Sequence, residues 1–179
     1  MENENSRVNA FPTDKLKITE FRESIKGDFG GKICPTCNRL AREEKVELSK
    51  ANCLALLHIL KYYRYSENAH TILDYFDEQE IFCENEKFLQ DFAKLEFWDL
   101  IEAKGELVDG AFIKEPKMYR ISENGIKFAQ REIAVPLNAI LYDGKVEGHQ
   151  LQPYATINEI LGVNTDEYES LLDPDYLIQ

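Results

Sequence analysis

The sequence predicts an α+β fold. Three features carry that prediction: apolar residues at helical spacing between Ser49 and Leu95, a change to strand-like patterning between Leu100 and Ile121, and an Asp-Gly pair at Asp143-Gly144. A chain of 179 residues can bury one real core with small appendages. The expected segments are an N-terminal arm (1–31), a Cys-x2-Cys knuckle (32–48), a helical and hairpin core (49–132), and a C-terminal hairpin followed by an acidic helical tail (133–179).

In the arm, isolated Phe11, Leu16, Ile18, Phe21 and Ile25 stand among polar residues, and Gly27, Gly30 and Gly31 follow. This reads as a flexible arm with a short element around Leu16–Ile25. Cys34-Pro35-Thr36-Cys37 is a tight turn. Ser49 can cap a helix running to Tyr63, in which Leu54, Leu57 and Leu60 make an apolar face that Leu56 and Ile59 widen. A second helix is expected over Thr71–Glu80 with Ile72, Leu73 and Phe76 inward. A third begins near Asn85 and carries Phe88, Leu89, Phe92 and Leu95. Leu100–Glu102 then reads as a strand start, Gly105–Gly110 as loop and turn, and Lys117–Ile121 as a returning strand. Ser122 can cap a short helix that includes Gly125–Phe128. Three helices followed by a two-stranded hairpin is the order of a winged helix-turn-helix core. Beyond it, Ala139–Tyr142 and Lys145–Glu147 flank Asp143-Gly144, whose two turn positions need positive φ. Thr156–Leu161 and Asp166–Leu172 read as short helices.

The net charge is −12, and from Val146 onward there is no Lys or Arg against seven acids. A phosphate-binding surface needs a local basic stripe, so the tail is not expected to lie on nucleic acid. No apolar run reaches membrane-spanning length, and Met1–Ala10 lacks the pattern of a signal or transit peptide, so a cytoplasmic protein without a membrane partner is expected. Four cysteines are few for a secreted disulfide scaffold.

Cys34 and Cys37 form half of a tetrahedral zinc site. Cys53 and His58 have a nominally suitable spacing, but they fall within the most apolar helix and five residues apart. A zinc site shared across a homodimer, or two bare thiols, are the other readings. For nucleic acid, a recognition helix and hairpin would offer Lys87, Lys94, Lys114, Lys117 and Arg120 to phosphates. Between Glu84 and Asp99, however, Lys87 and Lys94 face Glu84, Glu86, Asp91, Glu96 and Asp99. No catalytic residues are assigned. There is no Gly-x-Ser-x-Gly and no phosphate-binding Gly-Lys-Ser/Thr loop, and Asp28-Phe29-Gly30 lacks the other parts of a kinase.

Leu95-Glu96-Phe97-Trp98-Asp99-Leu100-Ile101-Glu102, followed by Tyr119-Arg120-Ile121-Ser122-Glu123-Asn124-Gly125, resembles the third helix and wing of winged-helix regulators. Cys34-Pro35-Thr36-Cys37, Ala93-Lys94-Leu95 with Trp98, Val135-Pro136 and Tyr142-Asp143-Gly144 occur in the same order in an uncharacterised group of phage and prophage proteins, which the chain resembles from Cys34 to Leu172. Asn38 and Asp99 stand where the knuckle and the segment after the third helix carry glycine. The resemblance implies the fold and a phage setting, hence a host cytoplasm, and supplies no activity. With no catalytic motif present, the reading is a non-enzymatic regulator that binds DNA or a nucleoprotein complex. The acid-only tail supports an alternative, an acidic protein-interaction module that engages or inhibits a host protein, by mimicry of DNA charge in one form.

Overall fold

The computed structural model of the protein describes residues 15–35, 37–65, 74–82 and 89–173. It is a mixed α and β structure whose strands pair antiparallel, in three-stranded sheets and two-stranded ladders. Among the described residues no helix is long and apolar enough to cross a membrane. The chain divides into two compact units, residues 1–45 with 140–147, and residues 46–139 with 148–179.

In the first unit, the short element expected around Leu16–Ile25 is a helix, α1 (Lys15–Ser24), and Ile25 just after it is buried. The Gly27 N–H donates to Glu43 Oε2 at 2.8 Å, and the Lys32 ammonium to the Ser24 carbonyl at 2.6 Å. Two-residue strands β1 (Lys32–Ile33) and β2 (Leu40–Ala41) pair around the Cys34–Cys37 turn. Strands β3 (Glu43–Glu47), β8 (Asn138–Tyr142) and β9 (Lys145–His149) form a sheet in the order β3-β8-β9. Asp143 (φ 52°) and Gly144 (φ 71°) make the hairpin turn expected of an Asp-Gly pair.

The second unit is built around α2 (Lys50–Tyr65), which packs against α3 (Glu78–Phe82), α4 (Leu89–Phe92), α5 (Glu123–Ala129) and α6 (Ile157–Leu161). Cys53, Ala55, Leu56, Leu57 and Ile59 are all buried, so the helix is surrounded on more than one side. Leu54 and Leu60, assigned to its inner face from spacing, are only half-buried. Ser49 caps the helix as expected: its hydroxyl accepts from the Asn52 N–H at 3.3 Å, and Asn52 Oδ1 accepts from the Ser49 N–H at 2.8 Å. Asn52 is itself buried, and its Nδ2 donates to the Asp91 carbonyl at 2.7 Å.

The second and third helices differ from expectation. Thr71, Ile72 and Leu73 lie outside the described residues. Phe76–Asp77 is a strand, β4, paired with the later strand residues Tyr119 and Met118, and the helix is Glu78–Phe82. The Asp77 carboxylate accepts the Gln79 N–H at 2.8 Å, which starts the helix after the strand. The expected start of the third helix near Asn85, with Lys87 and Phe88, also lies outside the described residues. Its end is α4 followed by a 3₁₀ helix, Ala93–Trp98, with Phe92 and Leu95 fully buried. Asp99 ends it in the left-handed region (φ 54°, ψ 32°), the conformation that glycine would supply.

Gly105–Gly110, expected as loop, is mostly strand. Strands β5 (Ile101–Val108) and β6 (Ala111–Ile121) continue to a two-residue turn at Asp109 (φ 51°) and Gly110 (φ 80°). This is the second Asp-Gly hairpin of the chain, and β6 lies between β4 and β5. The register slips between Ala103, opposite Tyr119, and Gly105, opposite Lys114. The extra β6 residues include Pro116, which has no N–H for a ladder, and Lys117 at φ 66°.

After β6, Ser122 caps α5, accepting the Gly125 N–H at 2.9 Å. Strands β7 (Val135–Pro136) and β10 (Tyr154–Ala155) pair, and the Trp98 indole N–H donates to the Pro136 carbonyl at 2.7 Å. Helices α6 and α7 (Thr165–Leu171) form where expected. The Thr156 N–H donates to Glu159 at 2.7 Å, and Asn164 and Glu167 exchange N–H donors at 2.9 and 3.0 Å.

Two outcomes follow. A Cβ at residue 125 would collide with the Leu100 carbonyl oxygen, so Gly125→Ala should lower unfolding free energy by about 1–3 kcal/mol in urea titration. Burial also pushes the Cys53 thiol from its ordinary 9.0 up to about 12, and raises the phenols of Tyr63 and Tyr168. The folded state holds these protons where the unfolded chain releases them, so stability is full below the ordinary values and declines as pH rises through them. The urea midpoint should fall from about pH 9 upward, with a shallower fall in Cys53→Ala.

Candidate functional site

The residues proposed for phosphate contact fall on the 3₁₀ helix and the β5–β6 hairpin, where carboxylates meet them. Lys94 pairs with Asp91 at 2.7 Å, one turn away on the same helical segment. Lys114 on β6 reaches both carboxylate oxygens of Glu96 at 2.7 Å. Arg120 lies directly across the ladder from Glu102, donating through Nε at 2.9 Å and Nη2 at 2.6 Å, and its guanidinium sits 5.0 Å from the Tyr75 ring centroid. Lys104, which the sequence reading did not single out, pairs with Glu115 at 2.8 Å. Lys117 sits in the bulge, and its charge opposes the burial that raises the Glu78 carboxyl. Lys87 lies outside the described residues.

Exposed ion pairs are weak, typically about 0–1 kcal/mol, so none of these cations is locked. What the pairing decides is the local charge. Lys94, Lys104, Lys114 and Arg120 each bring a carboxylate with them, and the surface they share is mixed in sign. Counterion release from DNA depends on net neutralisation of phosphates, which a surface of matched pairs supplies poorly.

The feature that sequence reasoning missed lies at the tip of the hairpin. Leu107 is 77% exposed, Phe112 53%, Ile113 52% and Val108 39%. Leu107 faces Phe112 across the ladder, Glu106 faces Ile113, and Val108 faces Ala111, so both faces of the tip are apolar. The Phe112 ring leans over Gly105, where a Cβ would stand 2.6 Å from Phe112 Cζ. The signal was present in Asp109-Gly110 between Leu107-Val108 and Ala111-Phe112-Ile113, the same turn chemistry read correctly at Asp143-Gly144.

In the first unit, Cys34 is half-buried and Cys37 is exposed. The Cys34 N–H donates to the Arg39 carbonyl at 2.8 Å, and the Asn38 N–H returns to the Cys34 carbonyl at 2.9 Å. Asn38 has φ 56°, the left-handed conformation for which a zinc knuckle uses glycine. The two cysteines, with Arg39, Arg42, Glu44 and Tyr142, line an open depression of about 680 Å³. Two thiols are half of the four ligands that zinc takes, and among the described residues no group of three or more His, Cys, Asp or Glu forms a metal cluster. Cys53 is buried with its thiol pushed up to about 12, which disfavours the thiolate a metal needs. His58 Nε2 lies 3.1 Å from the Ile81 carbonyl and its ring stacks on Phe82, while His149 Nε2 lies 2.7 Å from the Phe97 carbonyl. His70 and Cys83 lie outside the described residues.

Exposure and burial order the thiols by reactivity. In the native protein at neutral pH, iodoacetamide should modify Cys37 well before Cys53, and Cys53 should react only on unfolding, as read by peptide mass mapping. Comparison of the chain with protein-family models, with curated proteins and with solved structures gave no match.

Proposed function

We propose that the second unit is a winged helix acting as a non-enzymatic binding module, and that its β5–β6 hairpin engages a protein rather than duplex DNA. The order α2, β4, α3, α4 with its 3₁₀ extension, β5 and β6 supports the winged-helix reading, with β4 joining the hairpin in one sheet. The observation that carries the choice of partner is the apolar tip of Leu107, Val108, Phe112 and Ile113. Exposed apolar patches are a feature of protein interaction surfaces, whereas DNA-binding surfaces are strongly positive. The paired cations beside the tip and the net charge of −12 support the same choice. In a phage setting the partner is a host or phage protein complex, and the acidic balance suits a partner with a basic face.

A photo-crosslinking phenylalanine analogue at position 112 tests this in cells that express the full chain. Adducts with protein are expected, and adducts with nucleic acid would overturn the reading. Fluorescence anisotropy with mixed-sequence duplex DNA at about 50 mM salt should show no saturable binding. Tight binding that weakens steeply with salt, and is lost in Lys114→Glu or Lys117→Glu, would restore DNA as the partner.

A further inference from the structure

The edge of the β4-β6-β5 sheet offers a self-complementary surface. Strand β5 is the outer strand, and among the described residues no strand pairs with its free side. An open edge is a template for another strand, and a second copy of the same strand is one that fits by symmetry. In an antiparallel pairing of two β5 strands about a two-fold axis, the axis passes through a residue facing its own copy, and that residue sets every other pairing.

The charges select the residue. With the axis on Lys104 or on Glu106, like charges stand face to face. An axis on Ala103 pairs Lys104 with Glu102 of the second copy but leaves Glu106, Leu107 and Val108 beyond the partner strand. With the axis on Gly105, Lys104 faces Glu106 of the second copy and Glu106 faces its Lys104, while Glu102 to Val108 overlap in full. On the opposite face of the same ladder, Leu107 meets Ala103 of the second copy. Since Leu107 faces Phe112 within its own hairpin and Ala103 faces Tyr119, an apolar row runs Phe112, Leu107, Ala103, Tyr119 across the joint, twice. Gly105 at the axis has no side chain, and the Phe112 ring already covers it.

We propose that two copies of this chain associate through β5, antiparallel and centred on Gly105, with reciprocal Lys104–Glu106 pairs. This assigns the most exposed residue of the tip, Leu107, an interchain contact, and leaves Ile113 and Val108 on the other face of the hairpin for a different protein. The dimer also brings Phe112 to the joint, so the adduct at position 112 separates the two readings. An adduct with a second copy of this chain belongs to the dimer, one with a different protein belongs to the partner reading, and a chain that stays monomeric overturns the dimer alone.

Sedimentation velocity of the full chain over a concentration series is the test. A monomer–dimer equilibrium is expected. Lys104→Glu or Glu106→Lys alone replaces two attractive pairs by two repulsive ones and should weaken dimerisation roughly tenfold or more. The double variant Lys104→Glu with Glu106→Lys should restore it. A monomeric wild-type chain, a dimer indifferent to either single change, or a double variant no better than the singles would each overturn the proposal. Hydrogen exchange on the wild-type chain gives a reading that no folding defect can confuse: amide protection across Glu102–Val108 should rise with protein concentration, and protection that does not change would count against the dimer.

Discussion

One backbone carbonyl, that of Leu100, holds the second unit in register. It accepts the Ser122 N–H at 3.1 Å, while the Leu100 N–H closes the end of the 3₁₀ helix on Leu95 at 3.1 Å. Ser122 bridges the joint with its hydroxyl, donating to the Asp99 carbonyl and accepting from the Gly125 N–H. Gly125 is pressed against the same carbonyl with no room for a Cβ. Helix end, strand pair and α5 therefore meet within one peptide unit. The hairpin emerges from a buried foot made by Ile101 opposite Ile121, and past the bulge Lys114 ties it to Glu96 of the 3₁₀ helix.

That placement explains the division of labour along the hairpin. Near the foot, β5 and β6 are bound by cross-strand contacts such as Glu102–Arg120, and β6 is paired on both sides. Past the Pro116–Lys117 bulge the apolar residues of the hairpin are largely exposed. Burying a large apolar side chain is worth roughly 1.5–3 kcal/mol. Leaving Leu107, Phe112 and Ile113 in water forgoes that stabilisation within the isolated chain, and a partner surface can recover it.

Much of this was legible in the sequence, in places where a single local force decides. The helix from Ser49, the turn at Asp143-Gly144, the cap at Ser122 and the short helices read at Thr156–Leu161 and Asp166–Leu172 follow from capping chemistry, turn chemistry and apolar spacing. Phe76 was misread because its helical spacing with Ile72 and Leu73 is local, while its pairing with Tyr119 lies far along the chain. The same limit hid the length of the hairpin: Gly105 reads as a breaker, and the Ile113 carbonyl and the Phe112 ring crowding the place of its Cβ show why glycine stands in this strand. The basic residues were found by type. Their neutralisation was not, because Lys114 and Glu96, or Arg120 and Glu102, stand eighteen residues apart and meet only after folding.

Asn52 has a consequence of a different kind. Its amide sits in an otherwise apolar helix face, donating to the Asp91 carbonyl and accepting from Ser49. An apolar residue there would remove the donor that the Asp91 carbonyl receives. The amide has one satisfied arrangement, and sliding α2 along α4 by a turn would strand a buried donor, at a cost of about 1–3 kcal/mol. Asn52 thus acts as a latch on alignment, trading some of the core's greasiness for a single way of assembling it.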